Sequence, residues 1–580
     1  ARVAVVRRGS RFTWRFAVLA LVLIGATAGI TARLVFIQVL HHQRYWLEAQ
    51  EEHMEKKLVR SERGTILDRN GFPLATSTDV YDLYIDRRAW ADDLRNAEKT
   101  AAGLAKQLNV DETALLARLL DDRDGPIELL ADGLEFSIGR EISKQYLPGV
   151  TLAAANERFY PEGDVGSALL GFLGRDHSGL AGLEADLESV LGGQPGVLYF
   201  ERDGGGQPIA VGLQHEEPGK PGSDVRLTID RYIQRLVEVE LDQQIKDHKA
   251  SGGSILVMDP MTGAILAMAS RPSFKLSSLN LDEPDLNLYR NRAVTDAYEP
   301  GSVMKVVTMA TAIDLGLVNP NTTYYDAGYV QKGGYEFKNW DFTANGTQTM
   351  TQLLQKSLNT GAIWLSDQIG AKRLYDSLKR FGFGEPTHSG LGGESAGLIR
   401  TSDDADWYSA DLATNSYGQG IAATPLQVIT AVSSVINGGK LMRPYIVEEV
   451  DGPEGRRVFE PVVVRQTISA RSSETMVEMM HQVVDGVPGH RGQVRGYDVG
   501  GKTGTTLVSI PTGYALDSTL ATFIGFAPVD DPQLIMLVKI DTPQDDPLGG
   551  IVAAPVFGKL APKILSYLNV RPNTPVAAAR

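Results

Sequence analysis

The longest apolar run lies near the N-terminus. Phe16 to Ala32, FAVLALVLIGATAGITA, carries no charge, and Leu34 to Leu40 extends it beyond Arg33 with Gln38 as its one polar residue. Together these stretches reach the about 20 apolar residues that a helix needs to cross a bilayer, which predicts a transmembrane helix over 16–40. Beyond it the pattern turns polar. His41 to Arg60 is rich in Glu, Lys and Gln and is expected to be a helix rising off the surface. Ser61 to Ser77, SERGTILDRNGFPLATS, has short β-branched runs broken by the turn dipeptide Asn70-Gly71 and reads as strand, turn, strand. Within Ala91 to Leu120, Leu104, Leu108, Leu115, Leu116 and Leu119 return to helical spacing. Tyr160 to Glu184 is glycine-rich and irregular.

Pro218, Gly219, Pro221 and Gly222 punctuate HEEPGKPGSDVRLTID and mark a connector. After it, Ser254 to Met258 and Ala264 to Ala269 are apolar strands joined by DPMTG, a hairpin pattern. Thr519 to Ala527 and Leu534 to Asp541 repeat that pattern through PVDDP. Helical stretches separate the two hairpins, and Phe557 to Leu568 reads as a closing helix. This order predicts an α+β fold in which an antiparallel sheet is covered by helices. The expected organisation is a tail over 1–15, the membrane helix over 16–40, an elongated mixed α/β pedestal over 41–220, a second domain over 221–570 and a C-terminal tail over 571–580. The pedestal carries no concentration of nucleophile and base, so a docking role is expected of it.

In the second domain, Val303, Val306, Val307, Ala310, Ile313 and Leu317 fall at steps of mainly three and four, the spacing of one buried helical stripe. Pro300-Gly301 leads in, so Ser302 falls in the first turn, and Lys305, three residues on, comes up beside its hydroxyl.

Composition narrows the functions this frame can serve. The chain has 57 Lys plus Arg against 71 Asp plus Glu, a net charge of -14, which offers no basic footprint and argues against a nucleic-acid partner. It has no cysteine, excluding disulfides, thiolate metal sites and thiol catalysis. None of the nine histidines stands in an H-E-x-x-H arrangement, so surface positions are expected for them and no metal or other cofactor is expected. Arg2, Arg7, Arg8, Arg11 and Arg15 precede the apolar run. Positive charge stays on the cytoplasmic side, which places the bulk of the chain outside the cytoplasm, with Trp14 at headgroup level. A cleaved signal peptide ending near Ala26-Thr27-Ala28 is the rival reading; the apolar run continues past that point, so an anchor is preferred.

Ser302 and Lys305 form a Ser-x-x-Lys pair. A serine hydroxyl needs an adjacent base to act as a nucleophile, and a lysine serves when burial or a second cation lowers its pKa. Alone, the pair reads equally as a helix cap and a solvated lysine. KSLNTG supplies Ser357 and Asn359, whose spacing of two cannot share a helix face but suits a loop aimed at one cleft. DVGGKTGTT supplies Lys502, Thr503, Gly504 and Thr505 on a strand, where the glycine is expected to let a substrate backbone come close. Ser-x-x-Lys, Ser-x-Asn and Lys-Thr-Gly in this order match the set found in β-lactamases and penicillin-binding proteins.

Together with RGTILDRNG, GLAGLE, YEPGSVMK, SLNTG, GQGIAATPLQ, GKTGT and FIGFAPVDDP, these motifs make the chain resemble the class B penicillin-binding proteins over nearly its full length. GFLGRDHSGLAGLE and Glu299 are closer to the division-specific type than to the elongation type. Thr506 stands where many relatives have alanine and is expected not to touch the three motifs. Gly64, Asp68, Arg69, Asn70 and Gly71 resemble a structural pedestal motif without chemistry.

The resemblance implies a penicillin-binding/β-lactamase-like transpeptidase domain that cross-links peptidoglycan stem peptides in septal wall synthesis. Ser302 is then the nucleophile that attacks the D-Ala-D-Ala carbonyl, Lys305 its base, Ser357 a proton relay to Lys502, and Asn359 the residue orienting Lys305 and the substrate amide. Thr503 and Thr505 bind the substrate carboxylate, and the backbone N–H groups of Ser302 and Thr505 hold the oxyanion. β-Lactams are implied as covalent inhibitors. The implied partners are a SEDS-family lipid II polymerase, FtsW-like or RodA-like, and other division proteins, with the chain anchored as a single pass in the bacterial cytoplasmic membrane. Alternatives are an elongation-type transpeptidase, a DD-carboxypeptidase or β-lactamase, a β-lactam sensor, and a mainly structural scaffold.

Overall fold

The computed structural model describes residues 13–45, 54–59, 61–121, 123, 125–201, 214–279, 281, 285–510 and 513–574. Arg2, Arg7, Arg8 and Arg11 lie outside the described residues, as does 575–580 of the expected C-terminal tail. The chain divides into two compact units, one made of 1–61 and 194–220, the other of 62–193 and 221–580.

The first unit contains helix α1 (Thr13–Val35), which continues into a π-helical turn at Phe36–Leu40. Trp14–Leu40 is long and apolar enough to cross a membrane. The helix expected over His41 to Arg60 is corrected in part: Met54–Val59 is a β-strand, and residues 46–53 lie outside the described residues. That strand pairs antiparallel with Gly196–Glu201, from Met54 opposite Glu201 to Val59 opposite Gly196, and Gln214–Glu217 flanks the other side. Cross-strand pairing here overrides the weak strand preference of Glu-Lys-Lys.

In the second unit, the turn read from Asn70-Gly71 joins strands Ile66–Leu67 and Pro73–Asp86. Asp68, fully buried, builds it by accepting from Asn70 N at 2.8 Å and Phe72 N at 2.9 Å. These strands share one sheet with Asp224–Leu227 and Val447–Gly452. Buried Glu184 accepts from Arg63 Nε and from Arg158 Nε, each at 2.7 Å, so the GLAGLE stretch is tied to the RGTILDRNG stretch by charge.

The expected antiparallel sheet is present, with strands β1 (Gly252–Met258), β2 (Ile265–Arg271), β3 (Gly500–Ile510), β4 (Gly513–Ala527) and β5 (Leu534–Asp541) in the order β2-β1-β5-β4-β3. Successive strand residues point to opposite faces, and both faces are covered. Ile255, Val257, Phe523, Met536 and Val538 pack against Val556, Phe557 and Ile564 of the closing helix and Ile233 and Val237 of the helix Arg231–Asp247. Leu256, Met258, Ile524 and Leu537 face a helical layer that includes α2 (Met304–Asp314), α3 (Met350–Lys356), α4 (Asn359–Ile369) and α5 (Pro425–Ile436). Two-sided burial explains why β5 reads as a continuous apolar run and not as an alternation.

The stripe predicted on α2 is replaced by burial all round, from Met304 through Ala312. The helix ends at Asp314, so Ile313 is half-buried and Leu317 lies beyond it, 36% exposed. A helix this enclosed is the central one of its layer, and its N-terminus is held from several sides.

Candidate active site

Ser302 sits in a 3-10 turn, Gly301–Val303, that opens into α2. Gly301 has φ +58 and donates its N–H to Gly418 O at 3.0 Å. A side chain there would meet Thr506 Oγ1 and Thr505 O, so this glycine is required both for its conformation and for close approach to β3. Thr506 lies close to Gly301, the residue before the serine, beside the Ser-x-x-Lys pair.

One turn on, Lys305 is 1% exposed. Its Nζ lies 2.9 Å from Ser302 Oγ, 2.6 Å from Ser357 O, 2.8 Å from Asn359 Oδ1 and 3.3 Å from Ser357 Oγ. Burial, and then the charge of Lys502, push its pKa well below the ordinary lysine value, which favours the neutral amine. A neutral amine has two N–H groups and one lone pair. Ser357 O and Asn359 Oδ1 can only accept, so they take both N–H groups and leave the lone pair to the Ser302 hydroxyl. The geometry sets up a base on its nucleophile.

The spacing of Ser357 and Asn359 is explained by what lies between them. Ser357 ends α3 in the left-handed region, φ +56, and Asn359 begins α4, while Leu358 turns into the core with no exposure. The two polar side chains thus share one wall. Asn359 Nδ2 donates to Lys338 O at 2.9 Å, which fixes Oδ1 toward Lys305.

Lys502, on β3, is also 1% exposed, and burial lowers its pKa to about 7. Its Nζ lies 3.0 Å from Ser357 Oγ and 3.0 Å from Thr503 O. β3 is the edge strand of the sheet, which leaves its outer backbone edge for a ligand to pair with. Thr503 and Thr505 are half-buried, and Thr505 Oγ1 accepts from Gly549 N at 3.0 Å. Gly504 is needed for close packing within the fold. An added Cβ would meet Pro300 O and Val303 Cγ2, each at 3.1 Å, so it admits the turn carrying the nucleophile.

Two groups beside these motifs, Tyr417 and Asp326, were not signalled by the sequence, and a third, Glu299, stood there only as a mark of the division-specific type. Tyr417 places its ring centroid 6.0 Å from Lys305 Nζ. Glu299 accepts from Gly420 N and Tyr514 OH, each at 3.0 Å, and burial raises its pKa. Asp326 is fully buried and accepts from Asn339 Nδ2 and Thr360 Oγ1, which neighbour Lys338 and Asn359 in sequence. Tyr417 and Asp326 meet the site through residues distant in sequence. Among the described residues no cluster of three or more His, Asp or Glu is arranged to hold a metal ion.

Residues 253–561 match the penicillin binding protein transpeptidase domain, and residues 58–227 match the penicillin-binding protein dimerisation domain. The chain is 33% identical to stage V sporulation protein D of Bacillus subtilis over 94% of its own length and 84% of that protein. It is 33% identical to the peptidoglycan D,D-transpeptidase FtsI of Escherichia coli over 97% of its length and 93% of that protein. Among solved structures, penicillin binding protein 2X of Streptococcus thermophilus superposes with a TM-score of 0.77 at 26% identity, covering 89% of this chain and 81% of that one. Penicillin binding protein 3 of Mycobacterium tuberculosis, solved with aztreonam, gives 0.69 at 27% identity, covering 90% and 99%.

Proposed function

This chain belongs to the class B penicillin-binding proteins, and from that premise we propose that Ser302 is the nucleophile of a peptidoglycan D,D-transpeptidase acting in septal wall synthesis. The observation that carries the assignment is the 2.9 Å separation of Ser302 Oγ from Lys305 Nζ, with both N–H groups of the neutral amine already committed elsewhere.

In the first step Ser302 Oγ attacks the carbonyl between the two terminal D-alanines, and its proton passes to Lys305 Nζ. The tetrahedral oxyanion is held by the backbone N–H groups of Ser302 and Thr505. Its collapse breaks the peptide bond, and Ser357, lying between Lys305 and Lys502, relays the proton to the departing D-alanine amine. In the second step the amine of a neighbouring stem peptide attacks the acyl-enzyme ester. Its proton returns by the same relay to Ser302 Oγ, and a new amide cross-link leaves. Thr503 and Thr505, with Lys502 charged, bind the terminal carboxylate of the donor. A β-lactam enters by the same first step.

We assign residues 16–40 to a single membrane pass with the N-terminus cytoplasmic and the bulk extracytoplasmic, in the inner membrane. The pedestal over 41–220 is the docking surface for a SEDS-family polymerase and other division proteins, ahead of a transpeptidase domain over 221–570. The test of the reaction is release of D-alanine and formation of cross-linked product from a stem-peptide donor. Ser302→Ala should abolish both while leaving the fold intact; product from Ser302→Ala removes the assignment. The septal role is tested by depletion, which should give filaments. Rounded cells of normal length would instead indicate elongation.

A further inference from the structure

We propose that Asp326 is a positioning residue for the reaction, a buried anion that fixes the orientation of the Asn359 amide and, through it, the base Lys305. The inference rests on the role given to Asn359 above.

Asp326 ends the strand Thr323–Asp326 and has no exposure. Its carboxylate is surrounded by neutral donors. Oδ1 accepts from Gly328 N at 2.9 Å and Thr360 Oγ1 at 2.8 Å, and Oδ2 accepts from Asn345 N at 3.1 Å and Asn345 Nδ2 at 2.8 Å. Asn339 Nδ2 spans both oxygens, at 3.1 and 2.9 Å. A buried carboxylate held this way, by donors alone, is satisfied only when ionised. It also sits beside the first turn of α4, where negative charge is favoured.

The consequence for the site follows from connectivity. Asn339 is pinned by Asp326, and its own Oδ1 accepts from Thr360 N at 3.3 Å, capping the first turn of α4. The preceding carbonyl, Lys338 O, is thereby held where it accepts from Asn359 Nδ2 at 2.9 Å. A carbonyl oxygen only accepts, so the NH2 end of the Asn359 amide must face it. Oδ1 must then face Lys305 Nζ, at 2.8 Å. The same loop packs on the other side of Ser357, through Trp340 Nε1 donating to Lys356 O at 3.0 Å. If Lys338 O is released, the amide of Asn359 can turn over and offer its NH2 to Lys305. That would draw the lone pair of the amine away from Ser302.

The test is a double-mutant cycle on the full chain, with benzylpenicillin as the probe and the acylation rate constant separated from the initial binding constant. Asp326→Asn keeps the shape and removes the anion. It should slow acylation by about tenfold to hundredfold, as for losing hydrogen bonds to a charged group, with little change in initial binding. Asn359→Ala alone should slow acylation as much or more, and the double variant should be no slower than Asn359→Ala, because both act on one link. Losses that multiply, or an Asp326→Asn protein that acylates like the wild type while Asn359→Ala is slow, would overturn the positioning role and leave the assignment of Asn359 standing. A wild-type rate for Asn359→Ala would overturn both. Asn339→Ala removes the same link and runs through the same cycle, with the same outcomes, if Asp326→Asn does not fold.

Discussion

Ser357 Oγ stands 3.0 Å from Lys502 Nζ, and that single hydroxyl joins two lysines that burial drives toward neutrality. Lys305 is depressed first by burial and then by the charge of Lys502; Lys502 is brought to about 7 by burial. Acylation is fastest with Lys305 neutral and Lys502 charged, so its rate should rise with pH on the acid side and fall on the alkaline side near 7. The two limbs belong to the pair as a whole. Lys502→Met removes the charge that helps depress Lys305, which should move the acid limb to higher pH. A pH profile of penicillin acylation measures this, and an unmoved acid limb in the variant would contradict the coupling.

The same lysine makes the fold sensitive to pH. An unfolded chain keeps Lys502 protonated to about 10.4, whereas the folded chain releases that proton at about 7. The unfolded state therefore binds more protons across this window, and stability should rise with pH from about 7 toward 9. Thermal melts across the window should show the rise in the wild type and a smaller one in Lys502→Met. Equal slopes would mean that Lys502 is not buried in solution as it is here.

Gly301→Ala should damage catalysis as well as stability. The residue has φ +58 and faces Thr506 Oγ1 and Thr505 O, so a methyl group must displace the turn carrying Ser302. We expect a cost of about 1–3 kcal/mol in stability and a loss of acylation of at least about tenfold in protein that remains folded, the same turn bearing the nucleophile. Denaturation and acylation measured on one preparation decide this; a stability loss with wild-type acylation would argue against it.

Glu184 should show the opposite behaviour. It is fully buried and joins Arg63 to Arg158, and removing one partner of such a pair leaves buried charge uncompensated. Glu184→Ala is expected to destabilise by about 3–5 kcal/mol, while the fraction that folds acylates at the wild-type rate. Slow acylation in fully folded Glu184→Ala would show that this charge cluster reaches the site.

How far the sequence could be read depended on how local each feature is. The long apolar N-terminal helix, the two hairpins, the closing helix and the three motifs rest on composition and spacing within a few residues, and all are found. Ser302 and Lys305 meet because both lie on one turn, and Ser357 and Asn359 share a wall because Leu358 anchors between them. What was missed depends on distant pairing. The strand Met54–Val59 exists through residues 196–201, Gly504 matters through Pro300 and Val303, and Thr506 matters through Gly301. Asp326, one acidic residue after two tyrosines, carries no local mark of its hydrogen bonds to Asn339, Asn345 and Thr360.

On this mechanism Ser302 is acylated with Lys305 as its base. Intact-mass measurement on the full chain after incubation with benzylpenicillin, with peptide mapping and a time course, tests it most directly. The expected result is one adduct on the Ser302 peptide that persists for hours, absent in Ser302→Ala and formed far more slowly in Lys305→Ala. An adduct on another residue, or one that is lost within minutes by hydrolysis, would contradict it.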